Sequence, residues 1–291
     1  MRALVTGGAG FVGTNVVTRL IEEGYEVIVF DNLSTGKGEN IHKESKLFLL
    51  DISKEEHFTD KKMDDIMNGV DVIFHLAALA RIQPSINNPK ETIVNNFNST
   101  LNILECARKY DIPVIYAGSS SKHHGLYGSP YAWSKYGGEE LCKLYSEVYG
   151  LNTTICRFYN VYGPHHIRTG TYATVIGIFE NQFLNGEPLT IVGDGEQRRD
   201  FTHIDDIVDG LIKCVGKDYK GEIFELGSGV NYSINEVADM FHCETINIPA
   251  RPGEYDVTLC DYSKAEVELG YNPKGDLDKY IKEWIGENKN V

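Results

Sequence analysis

A glycine-rich turn set between a β-favouring run and a helical pattern constrains the fold of this chain more than any other feature in it. Arg2-Ala-Leu-Val-Thr6 is short and apolar and runs directly into Gly7-Gly-Ala-Gly10-Phe-Val-Gly13, after which Phe11, Val12, Val16, Val17, Leu20 and Ile21 recur at helical spacing. Small residues in such a turn let backbone N–H groups and the helix N-terminus close on a pyrophosphate, whose charge the helix dipole favours. The spacing is Gly-x-x-Gly-x-x-Gly, not the commoner Gly-x-Gly-x-x-Gly. A second apolar run, Glu26-Val-Ile-Val-Phe30, ends in Asp31, eighteen residues beyond Gly13 and near the offset of roughly 20 expected of a carboxylate that binds an adenine ribose. That acid welcomes 2′- and 3′-hydroxyls and repels a 2′-phosphate. The turn, with Gly7, Gly10, Phe11, Val12, Gly13, Asp31 and Asn32, is therefore expected to hold NAD in preference to NADP.

Strand-like runs continue at Lys46-Leu-Phe-Leu-Leu50, ending at Asp51, and at Asp71-Val-Ile-Phe-His75, which leads into Leu76-Ala-Ala78. A long helical pattern from about residue 89 to 110 precedes a fifth strand, Ile112-Pro-Val-Ile-Tyr-Ala117, and Asn152-Thr-Thr-Ile-Cys-Arg157 makes a sixth. Strands alternating with helices predict right-handed β-α-β units, hence an α/β fold of Rossmann type: a doubly wound parallel sheet with helices on both faces. Ligands of such sheets sit at the carboxyl ends of the strands, where Asp31, Asp51, Ala77 and Ser119 all fall. Beyond Gly163 the alternation loosens. Residues 1–163 are expected to form the NAD-binding domain, with later segments returning to it, and residues 164–291 mainly a smaller C-terminal substrate-binding lobe.

The 42 acids and 28 bases among 291 residues leave a formal charge of −14, which argues against nucleic acid or an anionic membrane surface as partner. An anionic substrate must then be gripped by a few local arginines. Cys106, Cys142, Cys156, Cys214, Cys243 and Cys260 are scattered without Cys-x-x-Cys spacing, so free thiols and a cytoplasmic setting are expected. No signal peptide is expected before the first strand, and no apolar run approaches the length of a membrane span.

Chemistry is concentrated in Pro130-Tyr-Ala-Trp-Ser-Lys135. Tyr131 and Lys135, four apart on a helix, share a face about one turn from each other, where phenol and ammonium alter each other's proton affinity. This is acid/base chemistry suited to an alcohol. The fifth strand runs into Gly118-Ser119-Ser120-Ser121 just before it.

Taken in order, the Ala9 to Gly13 turn, Asp31, His75-Leu-Ala-Ala78, the serine run and Tyr131-x-x-x-Lys135 resemble the extended short-chain dehydrogenase/reductases that act on nucleotide sugars. Arg157-Phe-Tyr-Asn-Val-Tyr-Gly-Pro164, Gly193 to His203 with Asp205-Asp206, Arg251-Pro-Gly-Glu254 and Asp261-Tyr-Ser-Lys-Ala265 look like sugar-nucleotide epimerase signatures, and the group most resembled is the UDP-glucose (or UDP-N-acetylglucosamine) 4-epimerases. The resemblance spans essentially the whole chain. It implies that Tyr131 is the catalytic base and acid, and that Lys135 binds the nicotinamide ribose and lowers the tyrosine's pKa. It also implies that Ser120, or next to it Ser119, hydrogen-bonds the sugar 4-oxygen. Asp51 and Ile52 would flank the adenine, while Leu76, Ala77, Ala78 and Asn96 line the cofactor groove. Asn160 would touch the substrate diphosphate, with Arg199 and Arg251 neutralising it; Arg157 would support the fold alone. Thr258, seven residues after Arg251, would lie against the sugar, or else simply pack in a strand. A homodimer packed through the Tyr131 helix and the helix near 89–110 is implied as well.

The chain also departs from the family pattern. Dehydratases of this superfamily carry an Asp-Glu pair after the fifth strand and decarboxylases a Glu; Ser120-Ser121-Lys122 stands here instead. Tyr131 comes only eleven positions after Ser120, and the stretch between them includes Lys122-His-His124 where Val-Tyr-Gly is expected. Neither His123-His124 nor His165-His166 has ligand spacing with a third partner, so no metal is expected. The rivals to a 4-epimerase are a related dehydratase, reductase or other epimerase, or a non-catalytic NAD-sensing protein.

Overall fold

Alternation along the first strand builds both layers of the core at once. In β1 (Arg2–Thr6), Ala3 and Val5 face one side and Leu4 the other, all fully buried, as expected of a strand covered on both faces. The computed structural model describes residues 1–59, 61–251, 253 and 255–288, apart from the side chains of Lys62 and His124. Pro252 and Glu254 of the Arg251–Glu254 segment thus lie outside the described residues, as does the side chain of His124.

The strands β2 (Glu26–Asp31), β3 (Lys46–Leu49), β4 (Val72–His75), β5 (Val114–Ser119) and β6 (Thr153–Phe158) join β1 in one sheet. Four others, β7 (Asn160–Tyr162), β8 (Leu189–Val192), β9 (Arg198–His203) and β10 (Glu222–Leu226), precede β11 (Asn231–Ser233) and β12 (Thr245–Ile248). The large sheet has seven strands in the order β10-β6-β5-β4-β1-β2-β3, every pairing parallel. This is the doubly wound parallel sheet expected from the sequence. The helices are α1 (Phe11–Glu22), α2 (Lys61–Met67), α3 (Ile82–Asn87), α4 (Pro89–Tyr110), α5 (Pro130–Tyr149) and α6 (Val175–Asn185), then α7 (Ile204–Lys213), α8 (Ile234–Met240), α9 (Ser263–Leu269) and α10 (Leu277–Asn288). Val16, Val17 and Leu20 of α1 and Ile204, Ile207 and Leu211 of α7 pack on one face of the sheet, and Ile103, Leu104, Cys142 and Tyr145 of α4 and α5 on the other. Each such buried aliphatic side chain contributes about 1.5–3 kcal/mol.

Residues 204–226 return to this sheet through α7 and β10, which docks on β6 with Leu226 opposite Phe158. A second assembly packs around Phe179, Phe201, Phe241 and Trp284; it holds the three-stranded β11-β9-β7 sheet, the β12-β8 pair, α6, α8 and α10. Among the described residues no helix is long and apolar enough to cross a membrane.

Candidate active site

A cavity of about 530 Å³ opens at the carboxyl ends of the parallel strands, between them and the smaller assembly. At one end lie Gly7, Gly10, Phe11, Val12 and Gly13 of the glycine turn, with Asp31, Asn32, Asp51 and Ile52; Leu76, Ala77 and Ala78 follow. At the other end are Ser119, Ser120 and Tyr131, with Asn160, Arg199, Arg251 and Thr258 on the lobe side. Two expected residues, Asn96 and Lys135, stand behind this wall.

The glycine turn has the shape a dinucleotide needs. A side chain on Gly13 would meet the Gly7 carbonyl oxygen at 2.0 Å, and one on Gly7, whose φ is 73°, would meet Ala77 Cα at 2.8 Å. Gly10 caps α1 without a side chain, so the first-turn N–H groups face the cavity, suited to an anion. The Asp31 carboxylate accepts the backbone N–H groups of Ala9 (2.9 Å) and Leu33 (2.8 Å), which fixes it beside the turn. Thr6 braces the next loop: its hydroxyl accepts the N–H groups of Leu76 and Ala77, both at 3.2 Å, and lies 2.8 Å from His75 Nδ1. Buried, and beside the Lys135 charge, His75 is held neutral with its pKa lowered to about 3. Neutrality with Thr6 donating leaves Nε2–H to donate to Thr100, 3.1 Å away.

Tyr131 sits in the first turn of α5 because Ser129 caps that helix, accepting the Ala132 N–H at 3.1 Å, and Pro130 occupies its opening position. Ser119 is the serine that acts on the Tyr131 phenol, lowering its pKa, and its hydroxyl donates to Ser121 Oγ at 2.9 Å. The reason is register: β5 runs on through Ser119, paired with Phe158, whereas Ser120 already opens a tight turn. Burial raises the Tyr131 pKa above its usual value; Ser119 and the Arg81 charge pull it down, and the Glu139 charge raises it. Lys135 lies one turn along the helix, 4 % exposed, with its ammonium 4.2 Å from the centroid of the Tyr116 ring. Burial brings its pKa down to about 8 against the opposing Glu139 charge. The Arg81 charge thus acts on the phenol as well, while the Lys135 ammonium rests over the Tyr116 ring.

Asn96 holds the wall from behind. Its side chain accepts the Leu79 N–H (2.8 Å) and donates to the Leu79 carbonyl (3.2 Å) and to Ser134 Oγ (3.0 Å), while Ser134 donates to the Tyr131 carbonyl. One amide therefore ties α4, the loop after β4 and the Tyr131 turn together.

Below Ser119 and Tyr131 lies a buried ion network that the sequence did not disclose. Arg157 donates to Glu139 at 2.6 Å and to Glu225 at 2.8 Å, and His123 Nε2 lies 2.8 Å from Glu225. Glu139 also accepts the Ser119 N–H at 3.4 Å. Its position, one turn beyond Lys135 on α5, was the only available signal. Arg157 is confined to this support and lies outside the cavity wall.

On the lobe side, Asn160 donates to the Asp200 carbonyl (3.0 Å) and to Thr258 Oγ1 (3.4 Å), and Thr258 accepts the Asp200 N–H (3.0 Å). Asp200 takes Ser228, Gly229 and Cys260 N–H groups on its buried carboxylate, so this segment of the signature is scaffold. Asp206 likewise receives the N–H groups of Lys274 and Gly275. Arg199 is 7 % exposed and turns toward the Tyr255 ring. No group of three or more His, Cys, Asp or Glu residues placed to hold a metal occurs among the described residues.

Residues 3–227 match the model of the NAD dependent epimerase/dehydratase family. A putative UDP-glucose 4-epimerase of Methanocaldococcus jannaschii is 37% identical, over 99% of this chain and 98% of that protein. The UDP-glucose 4-epimerase of Thermotoga maritima, solved with UDP-glucose, superposes with a TM-score of 0.91 at 32% identity, covering 100% of this chain and 99% of its own. The UDP-glucuronic acid 4-epimerase of Bacillus cereus, solved with UDP-glucuronic acid and NAD, gives 0.88 at 28% identity, covering 100% and 99%.

Proposed function

The chain belongs to the NAD dependent epimerase/dehydratase family, and from that premise we propose that it is an NAD-dependent 4-epimerase of a UDP-linked sugar. One observation carries the choice within the family. Among the described residues the only acids lining the cavity are Asp31 and Asp51, both at the adenosine end. Glu139, the carboxylate whose charge acts on Tyr131, is engaged by Arg157 and has no exposure. Among the described residues no acid is left to drive elimination or protonate a carbanion, whereas oxidation and re-reduction at a single carbon require only the tyrosine.

Bound NAD supplies the acceptor and then the donor of the C4 hydride, and the positive charge of its oxidised ring favours the phenolate. Tyr131 takes the proton of the 4-hydroxyl and later returns it to the 4-oxygen of the keto sugar. Ser119, which lowers the phenol's pKa, lines the cavity beside Ser120 and would hydrogen-bond the same oxygen. Arg199 and Arg251 face the diphosphate, which lets the sugar turn about its phosphate linkage and present its other face. Incubation with UDP-glucose, UDP-galactose and their N-acetyl forms, read by proton NMR, tests the reading. Interconversion at C4 is expected; loss of water or carbon dioxide would reject it.

Asp31 sets the cofactor. NAD is expected to bind at least about tenfold tighter than NADP, because a 2′-phosphate would face that carboxylate. Calorimetric titration of cofactor-free protein checks this, and equal affinities would refute it.

Thr258 bounds the sugar end. With Tyr in its place, the ratio of kcat/KM for a UDP-N-acetylhexosamine over the plain hexose is expected to fall by about 10- to 200-fold. Loss of the Thr258 hydroxyl bond to Asp200 affects both sugars and cancels in the ratio. An unchanged ratio would move the gate elsewhere in the cavity wall.

The outer face of α5 carries Trp133, Leu144 and Val148, exposed at 41%, 48% and 59%, on one stripe at helical spacing, and Val94 of α4 lies exposed as well. This stripe supports a homodimer closed by α4 and α5 of two copies. All six cysteines are free, which suits a cytoplasmic protein.

A further inference from the structure

Three arginines line the cavity, and the diphosphate accounts for two of them, Arg199 and Arg251. Arg81 is the third, and it lies at the Tyr131 end. Its Nε donates to the Tyr172 carbonyl at 3.1 Å, which ties the loop after β4 to the opposite wall. Among the described residues no carboxylate lies within ion-pair distance of its guanidinium, and no protein acceptor meets either terminal nitrogen. Those two nitrogens form the planar fork that grips a carboxylate through two parallel bonds.

The backbone adds a second, independent observation. Arg81 is held at φ 128°, ψ 142°, a conformation that costs a non-glycine residue about 1–3 kcal/mol and persists where the surroundings enforce it, often at ligand sites. A glycine would sit there without strain. An arginine in that place, half-buried and without a counter-ion among the described residues, implies that the counter-ion comes with the ligand.

We infer that Arg81 recognises a carboxylate on the sugar, carried on a carbon next to C4, so that the substrate is an acidic UDP-sugar. The inference rests on the 4-epimerase reading, since that reading places C4 at Tyr131. From there the guanidinium faces substituents of the two neighbouring carbons: the C6 carboxylate of a hexuronic acid, attached at C5, or an acid on the oxygen at C3. The carboxylate neither gains nor loses an atom during epimerisation; it anchors the ring while C4 reacts. Arg81 and Tyr131 are close enough for their charges to act on each other, so a neutral sugar leaves the guanidinium, among the described residues, with the Tyr172 carbonyl and the phenol and no carboxylate.

The test uses the full chain loaded with NAD and four substrates: UDP-glucuronate, UDP-N-acetylmuramate with its acid on O3, UDP-glucose and UDP-N-acetylglucosamine. One acidic sugar is expected to exceed its neutral counterpart in kcat/KM by about tenfold or more, and which one it is identifies C6 or C3 as the site. In Arg81→Gln and Arg81→Gly, the second of which also relieves the backbone, that ratio is expected to fall by about 10- to 100-fold, the size of a hydrogen bond to a charged group. Equal losses on acidic and neutral sugars overturn the inference and assign Arg81 to Tyr131 alone. Turnover of the neutral sugars only overturns it too, with no variant needed, and leaves the 4-epimerase reading standing. Turnover of none of the four overturns both.

Discussion

Tyr131→Phe is expected to lower kcat by about 100- to 10,000-fold, the range for loss of a general acid/base, while NAD binding and thermal unfolding stay within a few tenths of their wild-type free energies. The phenyl ring keeps the packing of the α5 first turn, and the Ser129 cap and Pro130 that position it are untouched. Only the hydroxyl is lost. Single-turnover measurement of cofactor reduction isolates the proton-transfer step, and wild-type rates in the variant across pH would reject Tyr131 as the base. In wild type, burial raises the phenol pKa, so kcat/KM is expected to rise with pH until NAD and Arg81 hold the phenolate, and that rising limb should vanish in the variant.

Arg157→Leu is expected to destabilise the protein by about 3–5 kcal/mol, because it strands Glu139, fully buried, and Glu225 without their cation. Replacing Glu139 by Gln in the same chain should recover part of this, since a neutral amide can be buried at lower cost. Urea unfolding of the three proteins checks it; a loss under about 1 kcal/mol would mean that water reaches the network. The sign with pH follows from Glu225. Burial alone would raise its pKa, but His123 and Arg157 outweigh that and hold it below the ordinary glutamate value. Its contribution is thus present above the unfolded-state pKa and fades as pH falls through the lower, folded one. In Arg157→Leu that acid-side loss should shrink. The network also supports Ser119 through Glu139, so activity is expected to drop before the fold does.

Two site roles turn on contacts that the sequence could not show. Ser120 looked better placed than Ser119 by counting from the strand, but β5 runs two residues beyond the apolar segment that marks it in the sequence. Gly118 and Ser119 are polar or small, and their strand character comes from pairing with Arg157 and Phe158. Lys135 was expected to act on Tyr131 by helical spacing alone. The structure turns its ammonium onto Tyr116, from a strand that spacing on α5 cannot report.

Local order along the chain determined a good deal. Strand, glycine turn, helix and acid within 31 residues specify a dinucleotide site, because each contact there is made by neighbours in sequence or by backbone. The Tyr-x-x-x-Lys spacing marks the reacting helix for the same reason, and strand–helix alternation was enough to predict the parallel sheet, since right-handed crossovers leave few alternatives. Only the tertiary structure decided which groups share the reacting end of the cavity. Arg81 meets Tyr172 across 91 positions and Arg157 meets Glu225 across 68. Charges brought together over such distances have no periodicity to announce them; they become neighbours when the sheet closes, and burial then makes each one consequential.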